Sequence, residues 1–129
     1  GTLFLVDYKE KTLWSAIISQ KDNGLKIKVP WTAGIIGYVR QTKRCINVED
    51  AYKCNFFNQS VDRETGYRTK SVLCGVVRHP MNRKVVAVVQ LINKVEKGLI
   101  HRFSKQDEKI FLKFMRRLED ALKGTLPPL

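Results

Sequence analysis

No apolar run in this chain approaches the roughly 18 residues that cross a bilayer as a helix, so the sequence predicts no transmembrane segment. The three cysteines are an odd number and form no Cys-x-x-Cys pair, which argues against a disulfide framework and a common zinc site. We therefore expect a reducing, cytoplasmic setting and no bound metal. The 129 residues suit one compact domain and leave no room for a catalytic domain of ordinary size.

Acidic residues are scarce, since 12 Asp and Glu stand against 24 Lys and Arg, for a formal charge of +12. Such a surface attracts polyanions. The basic residues are scattered, however, and no zinc finger, helix-turn-helix or aromatic RNA-binding pattern organises them. We interpret the charge as a solvated basic surface without a specific nucleic-acid partner. The alternative, nucleic-acid binding, predicts affinity that falls steeply with salt.

The first half of the chain predicts strands followed by a short helix. Apolar runs over residues 2–6 and 12–19 predict a hairpin, and the alternation over residues 25–29 predicts a third strand. Residues 32–41 then predict a short helix capped by Thr32, whose hydroxyl can accept from a free amide of the first turn.

The second half predicts two central strands and a long helix. A short strand at residues 45–48 leads into a polar, aromatic-rich stretch over residues 49–70, interpreted as a long ordered loop with helical turns. Strongly apolar strands follow at residues 71–77 and 85–92. Beyond Ser104, apolar residues recur at helical spacing along one face. The order of elements predicts an α+β domain with a central antiparallel sheet.

No arrangement of catalytic residues is visible, and we predict none. His79 and His101 have no carboxylate–serine or cysteine partners nearby in the pattern, and lone histidines are mostly packing or surface residues. Nothing in the sequence marks Cys45 or Cys54 as an activated thiol. A small thiol enzyme using either one stays an alternative, and it predicts that alkylation abolishes turnover.

The C-terminal third carries a distinctive motif. It has Asn93-Lys94 and, after a gap, Phe103-x-x-x-Asp107-Glu108, which resembles the signature of phosphodiesterase-type GAF domains. Further blocks similar to this family are Leu3–Asp7, Leu13–Ser15, Gly34–Gly37, Ile46–Tyr52, Val61–Thr69 and Leu91–Lys94. Residues 1–129 are therefore identified as a single GAF domain without the helix that usually precedes the first strand.

The resemblance implies a ligand pocket on one face of the sheet, under a lid formed by residues 49–70. In the family, a cyclic phosphate rests on backbone amides that correspond here to Gly34, Ile35 and Ile36. Free amides and the helix dipole favour an anion at such a position independently of the family. Taken alone, Gly-x-x-Gly would fit close packing of a turn equally well.

The lid is implied to surround the ribose and base through Asp62, Thr65 and Thr69. Without the resemblance, this stretch would be interpreted as a turn with an Asx cap. The other implied ligand-binding positions are Thr2, Ile18, Ser19, Asn58 and Gln90. Several relatives have Glu in place of Gln90, and some have an aromatic in place of Asn58. Because an amide donates and accepts whereas a carboxylate only accepts, the identity of the base stays open.

The signature residues are implied to be structural, with an ion pair between Lys94 and Asp107 tying the last strand of the sheet to the final helix. Independently of the family, Asp107 fits the acid of a capping box and Lys94 an ordinary surface cation. The two interpretations of Asp107 are compatible.

The function that the resemblance implies is regulatory. We expect the domain to bind cyclic GMP or cyclic AMP and to signal through its terminal helices to the catalytic domain of a phosphodiesterase or, less expected, a cyclase. A homodimer and no cofactor are expected. The main alternative is a GAF domain that binds no ligand and serves for dimerisation.

Overall fold

The computed structural model describes residues 1–17 and 27–127 and, for Val61 and Thr65, the backbone only. The strands are β1 (Thr2–Asp7), β2 (Thr12–Ile17), β3 (Lys28–Pro30), β4 (Ile46–Val48), β5 (Val72–Arg78), β6 (Val85–Ile92), β7 (Lys94–Glu96) and β8 (Leu99–His101). The helices are α1 (Gly34–Thr42), α2 (Ser60–Thr65) and α3 (Lys105–Ala121). None of the helices in the described ranges combines the length and apolarity needed to cross a bilayer.

The first six strands form one antiparallel sheet in the order β3-β2-β1-β6-β5-β4. The hairpin of β1 and β2 confirms the prediction from the first two apolar runs. β5 and β6 lie inside the sheet, and their apolar residues are buried on both faces, as the sequence predicted. The predicted α+β class is thus confirmed.

Each face of the sheet carries an apolar core. The core on the α1 face consists of Phe4, Leu13, Ile35, Ile36, Val39, Ala51, Val72, Cys74, Val85 and Val88. The core on the α3 face consists of Leu73, Val77, Ala87, Val89, Phe103, Phe111 and Met115. Phe111 can approach β5 closely because Gly75 has no side chain there, and a Cβ on Gly75 would lie 2.8 Å from the ring.

The helix α3 begins with the predicted capping box. Ser104 Oγ accepts from the Asp107 amide at 3.1 Å, and Asp107 Oδ2 accepts from the Ser104 amide at 2.7 Å. These two bonds satisfy amides that have no partner within the first turn.

The start of α1 differs from the prediction. The helix begins at Gly34, and Ala33 is the N-cap residue, with no side-chain cap. The backbone of Thr32 instead lies against the first turn, since a Cβ on Gly37 would be 2.4 Å from the Thr32 carbonyl carbon. The predicted cap by Thr32 was therefore wrong, and Gly37 serves close packing.

The two-stranded sheet of β7 and β8 was not predicted from the sequence. Its turn contains Lys97 and Gly98, which both have positive φ, as tight hairpin turns require. A Lys-Gly pair between short apolar segments was the available signal. The predicted strands over residues 12–19 and 25–29 extend partly into residues 18–26, which lie outside the described ranges.

Candidate functional site

Residues 49–70 form a lid on the α1 face of the sheet. As predicted, the lid is ordered and contains helical turns, a 3₁₀ turn at Ala51–Lys53 and the helix α2. Ala51 donates its amide to the Lys70 carbonyl at 2.7 Å, which joins the two ends of the lid. We call residues 54–59 the front lid and residues 60–70 the rear lid, because the two are held by different chemistry.

The front lid lies directly over the N-terminus of α1. Gly34 has a φ of +63°, and a Cβ built there would lie 3.0 Å from Asn58 Cβ. Glycine is thus required at this position both for its backbone conformation and for the close approach of Asn58. Asn58 Oδ1 meanwhile accepts from the Ser60 amide at 3.0 Å. Two predicted ligand-binding residues, Gly34 and Asn58, therefore lie in contact with each other.

Aromatic side chains make the other contacts of the front lid. Phe56 stacks on Tyr38 of α1 with ring centroids 4.2 Å apart, and both side chains are about 38% exposed. Phe57 meets Tyr52 edge to face at 5.1 Å. Phe57 and Cys54 also pack against the core on the α1 face. The front lid therefore packs against α1 and against the core through apolar contacts.

Asp62 is the centre of the rear lid. It is 8% exposed and accepts from Tyr52 Oη at 2.7 Å, the Thr69 amide at 2.8 Å and Thr69 Oγ1 at 2.8 Å. The hydrogen bond to Asp62, reinforced by burial, raises the pKa of Tyr52. The Arg68 guanidinium lies over the Tyr52 ring, 4.1 Å from its centroid. The structure thus brings two predicted ligand-binding residues, Asp62 and Thr69, together, and they are hydrogen-bonded to each other.

Asn93 ties the end of the rear lid to the sheet. Its Oδ1 accepts from the amides of Lys70 (2.6 Å) and Ser71 (3.2 Å). Its Nδ2 donates to Tyr67 Oη (2.8 Å) and to the Arg68 carbonyl (2.9 Å). Asn93 is buried and has a φ of +54°, a conformation that Asn tolerates better than most residues. The signature Asn therefore anchors the lid, a role that the sequence analysis did not assign.

The predicted ion pair of the signature is present. Lys94 Nζ lies 2.7 Å from Asp107 Oδ2, and both side chains are a little over one quarter exposed. The bond to Asp107 raises the pKa of Lys94, and the bonds to Lys94 and to the Ser104 amide lower the pKa of Asp107. Because Lys94 follows Asn93, this pair connects the lid anchor to the first turn of α3.

The other two signature residues support the same region. Phe103 is buried in the core on the α3 face, and its carbonyl accepts from Asn47 Nδ2 at 2.7 Å. Glu108 is partly buried, and its carboxylate lies 3.9 Å from the exposed Lys105 Nζ.

The remaining predicted ligand-binding positions fall in several places. Thr2 and Gln90 are paired across β1 and β6. Alternation along these strands places them on the α1 face, since Phe4 and Val88 belong to that core. Thr65 ends α2. Ile35 and Ile36 bury their side chains in the core, so only their amides could meet a ligand. Ile18 and Ser19 lie outside the described residues.

A cleft of about 450 Å³ opens beside the base of the lid. The residues that line it are Val48, Glu49, Asp50, Lys53, Cys54 and Lys70. None of the predicted ligand-binding residues whose side chains the structure describes is among them. The front lid instead contacts the N-terminus of α1, where a Cβ on Gly34 would lie 3.0 Å from Asn58 Cβ.

The thiols and histidines show no arrangement for catalysis. Burial and the Glu108 carboxylate raise the pKa of Cys45, and burial raises that of Cys74, which opposes thiolate formation at both. His79 is buried between the Met81 amide and Thr125 Oγ1, whereas His101 is exposed on β8. Within residues 1–17 and 27–127, no three His, Cys, Asp or Glu side chains group as metal ligands would.

The antiparallel sheet, the helices on both faces and the lid over one of them define the class of this protein, an α+β domain with one lidded face. A family model described as the GAF domain matches residues 1–122. The chain belongs to the GAF domain family.

Two of the proteins similar in sequence are phosphodiesterases. The chain is 37% identical over 93 residues, 72% of its length, to dual 3',5'-cyclic-AMP and -GMP phosphodiesterase 11A of Takifugu rubripes. It is 36% identical over 131 aligned positions, covering 90% of its length, to dual 3',5'-cyclic-AMP and -GMP phosphodiesterase 11 of Drosophila melanogaster. These matches cover 10% and 9% of the two relatives, so the chain spans about a tenth of their length.

A solved structure supports the fold. The GAF domain of a phosphoenolpyruvate-protein phosphotransferase from Coxiella burnetii matches with a TM-score of 0.71 and 18% identity, over 97% of this chain and 74% of that one. At this identity the likeness shows the fold alone.

Proposed function

We propose that this chain is a regulatory domain that binds cyclic GMP or cyclic AMP and controls a catalytic phosphodiesterase domain of the same polypeptide. The cyclic phosphate binds the amides of Gly34, Ile35 and Ile36 after the front lid lifts. The domain acts in the cytoplasm, within a homodimer, and needs no further cofactor. The observation that carries the proposal is the contact of the front lid, through Asn58, with the N-terminus of α1 in a GAF domain similar to those phosphodiesterases.

The chemistry of the covered region supports an anionic ligand. The first amides of α1 have no side-chain cap, and the helix dipole adds positive potential at this end. Lifting the front lid exposes them, and it breaks an exposed aromatic stack, the packing of Asn58 and the partly buried contacts of Cys54 and Phe57, but no buried hydrogen-bond network. Thr2 and Gln90 lie on the same face of the sheet, where polar groups can distinguish bases.

The link to a second domain runs through the signature residues. Asn93 accepts from the amide of Lys70 in the rear lid, Lys94 pairs with Asp107, and Asp107 belongs to the capping box that begins α3. A ligand shifts a conformational equilibrium only by its differential affinity for the two states. Binding that alters the lid therefore changes the strain on the first turn of α3, from which the signal is passed on.

One observation favours the alternative of a GAF domain that binds no ligand and serves for dimerisation. Asp62 already accepts three hydrogen bonds from Tyr52 and Thr69. If this arrangement never opens, Asp62 has little capacity left for a ribose hydroxyl. The proposed function requires the front lid to open, whereas the alternative does not.

Isothermal titration with both cyclic nucleotides separates the two functions. The proposal predicts saturable heat with one or both, and the alternative predicts none at high micromolar ligand with the protein still folded. Gln90→Glu is expected to change the ratio of the two affinities, because a carboxylate cannot donate to the base. Gln106→Glu, the same change on exposed α3, is the matched control and should leave the ratio unchanged.

A further inference from the structure

Tyr52 contacts both halves of the lid although it belongs to neither. It lies in the 3₁₀ turn Ala51–Lys53, ahead of the front lid. Its ring meets Phe57 of the front lid edge to face, with the ring centroids 5.1 Å apart. Its hydroxyl donates to Asp62 Oδ2 of the rear lid at 2.7 Å. One side chain therefore joins the segment that contacts α1 to the segment that bonds to Asn93.

The Tyr52 hydroxyl is one of two donors to the same oxygen of Asp62. Oδ2 accepts from Tyr52 Oη and from the Thr69 amide, whereas Oδ1 accepts from Thr69 Oγ1. A carboxylate oxygen has two lone pairs, so both acceptor positions of Oδ2 are taken. A further donor that approaches Oδ2 of this buried side chain therefore has to displace one of the two that are present.

Tyr52 is the donor that can leave at the lower cost. The bonds from Thr69 include a backbone amide and lie within the rear lid, whose end is fixed by Asn93. Tyr52 is only partly buried, so its hydroxyl can bond to water after release. The Arg68 guanidinium, 4.1 Å from the centroid of the Tyr52 ring, belongs to an exposed residue. Release of Tyr52 from Asp62 therefore leaves the two bonds from Thr69 in place.

The two contacts of Tyr52 support each other. Phe57 packs on the Tyr52 ring and against the core on the α1 face, so it restrains the ring while the hydroxyl bonds to Asp62. Two contacts that fix the same side chain share the entropy cost of ordering it, and each is therefore stronger when the other is made. Such coupling is reciprocal. Lifting the front lid thus weakens the bond from Tyr52 to Asp62, and loss of that bond favours lifting of the front lid.

We propose that Tyr52 is a latch that competes with the ligand for Asp62 and couples this competition to closure of the front lid. While the front lid is down, the Tyr52 hydroxyl occupies Asp62 Oδ2. When the front lid lifts, Tyr52 leaves and a ribose hydroxyl of the cyclic nucleotide takes its place. This inference rests on the proposed function and adds the step that frees Asp62.

The test compares Tyr52→Phe with Tyr8→Phe by isothermal titration with cyclic GMP and cyclic AMP. Both substitutions remove one phenolic hydroxyl. Tyr8 Oη donates to the Val85 carbonyl at 2.7 Å, at the end of the sheet away from Thr2 and Gln90. We expect Tyr52→Phe to bind the nucleotide about fivefold to tenfold more tightly than the parent, because the ligand no longer displaces a hydroxyl from a charged group. The affinity of Tyr8→Phe should stay within about twofold of that of the parent.

Hydrogen exchange of the free proteins gives a second readout that needs no nucleotide. Exchange over residues 54–59 should be about threefold faster in Tyr52→Phe than in the parent, because the ring at position 52 is less restrained and supports Phe57 less well. Exchange over residues 66–70 should stay unchanged, since the bonds to Asn93 remain. Tyr8→Phe should leave the exchange of both segments unchanged.

Three results would overturn the latch. The first is an affinity of Tyr52→Phe for the nucleotide that is equal to or weaker than that of the parent, which would mean that the hydroxyl does not compete with the ligand. The second is exchange over residues 54–59 that Tyr52→Phe leaves unchanged. The third is an equal rise of this exchange in both variants, which would mean a general loss of stability. If none of the three proteins binds either nucleotide, the proposed function fails, and the exchange over residues 54–59 alone decides whether Tyr52 is a latch.

Discussion

The front and rear lid belong to one segment but are held in different ways. The front lid is held by apolar contacts: an aromatic stack on α1 that is about 38% exposed, the packing of Asn58 on Gly34, and the partly buried Cys54 and Phe57 against the core. The rear lid is held by the hydrogen bonds of two buried side chains, Asp62 and Asn93. Exposed aromatic pairs contribute about 0.5–1.5 kcal/mol, and each buried polar group left without a partner costs about 1–3 kcal/mol.

The difference indicates where the domain opens. Regions with few buried contacts open locally at lower free energy than regions fixed by buried networks. The front lid should therefore lift while the rear lid stays attached to Asn93. The front lid thus controls the access of a ligand to the amides of α1, and the rear lid transmits the signal to α3.

Loss of the Asn93 side chain should have the largest effect. Asn93→Gly keeps the backbone at positive φ without strain but removes the four hydrogen bonds of the side chain. We expect the free energy of unfolding in urea to fall by about 2–3 kcal/mol. The matched control, Asn82→Gly in an exposed turn, should cost less than about 1 kcal/mol. Equal effects of the two variants would contradict the role of Asn93 as an anchor.

Thr69→Val should loosen the rear lid alone. The substitution keeps the shape of the side chain but removes the bond from Thr69 Oγ1 to Asp62 Oδ1, at 2.8 Å. Because hydrogen bonds to charged groups contribute about 1.5–3 kcal/mol, we expect a loss of about 2 kcal/mol. Hydrogen exchange should become faster over residues 62–70 and stay unchanged over residues 54–59. Faster exchange in both halves would mean that the lid moves as one unit.

Asp107→Asn should show how firmly the rear lid is coupled to α3, with an effect smaller than that of Asn93→Gly. The folded pKa of Asp107 is lowered, so its contribution to stability is present above its unfolded pKa, near 4, and is lost as the pH falls through the folded value. The pKa of Lys94 is raised, so the contribution of Lys94 to stability is lost only as the pH rises above about 10. The free energy of unfolding in urea should therefore be lower for the variant than for the parent at pH 7, and the two values should become equal in strong acid. A difference that persists unchanged in acid would exclude the ion pair as its source.

Tyr38→Ala should have the smallest effect on overall stability and a local one on the front lid. Loss of the stack with Phe56 removes about 1 kcal/mol of stabilisation, so the rate of hydrogen exchange over residues 54–59 should rise roughly fivefold. Phe114→Ala removes an aromatic side chain that is also exposed and serves as the control. Unchanged exchange in the front lid of Tyr38→Ala would show that the stack does not hold it closed.

The sequence predicted the elements whose signals are local. β6 and the capping box of α3 follow from an unbroken apolar run and from the spacing of Ser104 and Asp107. The start of α1 was misplaced because a Thr near a helix suggests a cap, whereas tertiary packing brings the Thr32 backbone against Gly37. Which part of the lid contacts α1 could not be predicted, because no local pattern links Phe56 to Tyr38 or Tyr52 to Asp62. The family resemblance supplied the ion pair of Lys94 with Asp107 but not the bonds of Asn93 to the lid.

The most direct test of the central claim is hydrogen exchange over the lid, measured by mass spectrometry with and without saturating cyclic GMP or cyclic AMP. The account predicts fast exchange over residues 54–59 in the free protein and strong protection there when one of the nucleotides is added. Residues 66–70 should be slow in both conditions. Exchange over the front lid that neither nucleotide changes, in a protein that stays folded, would contradict the account.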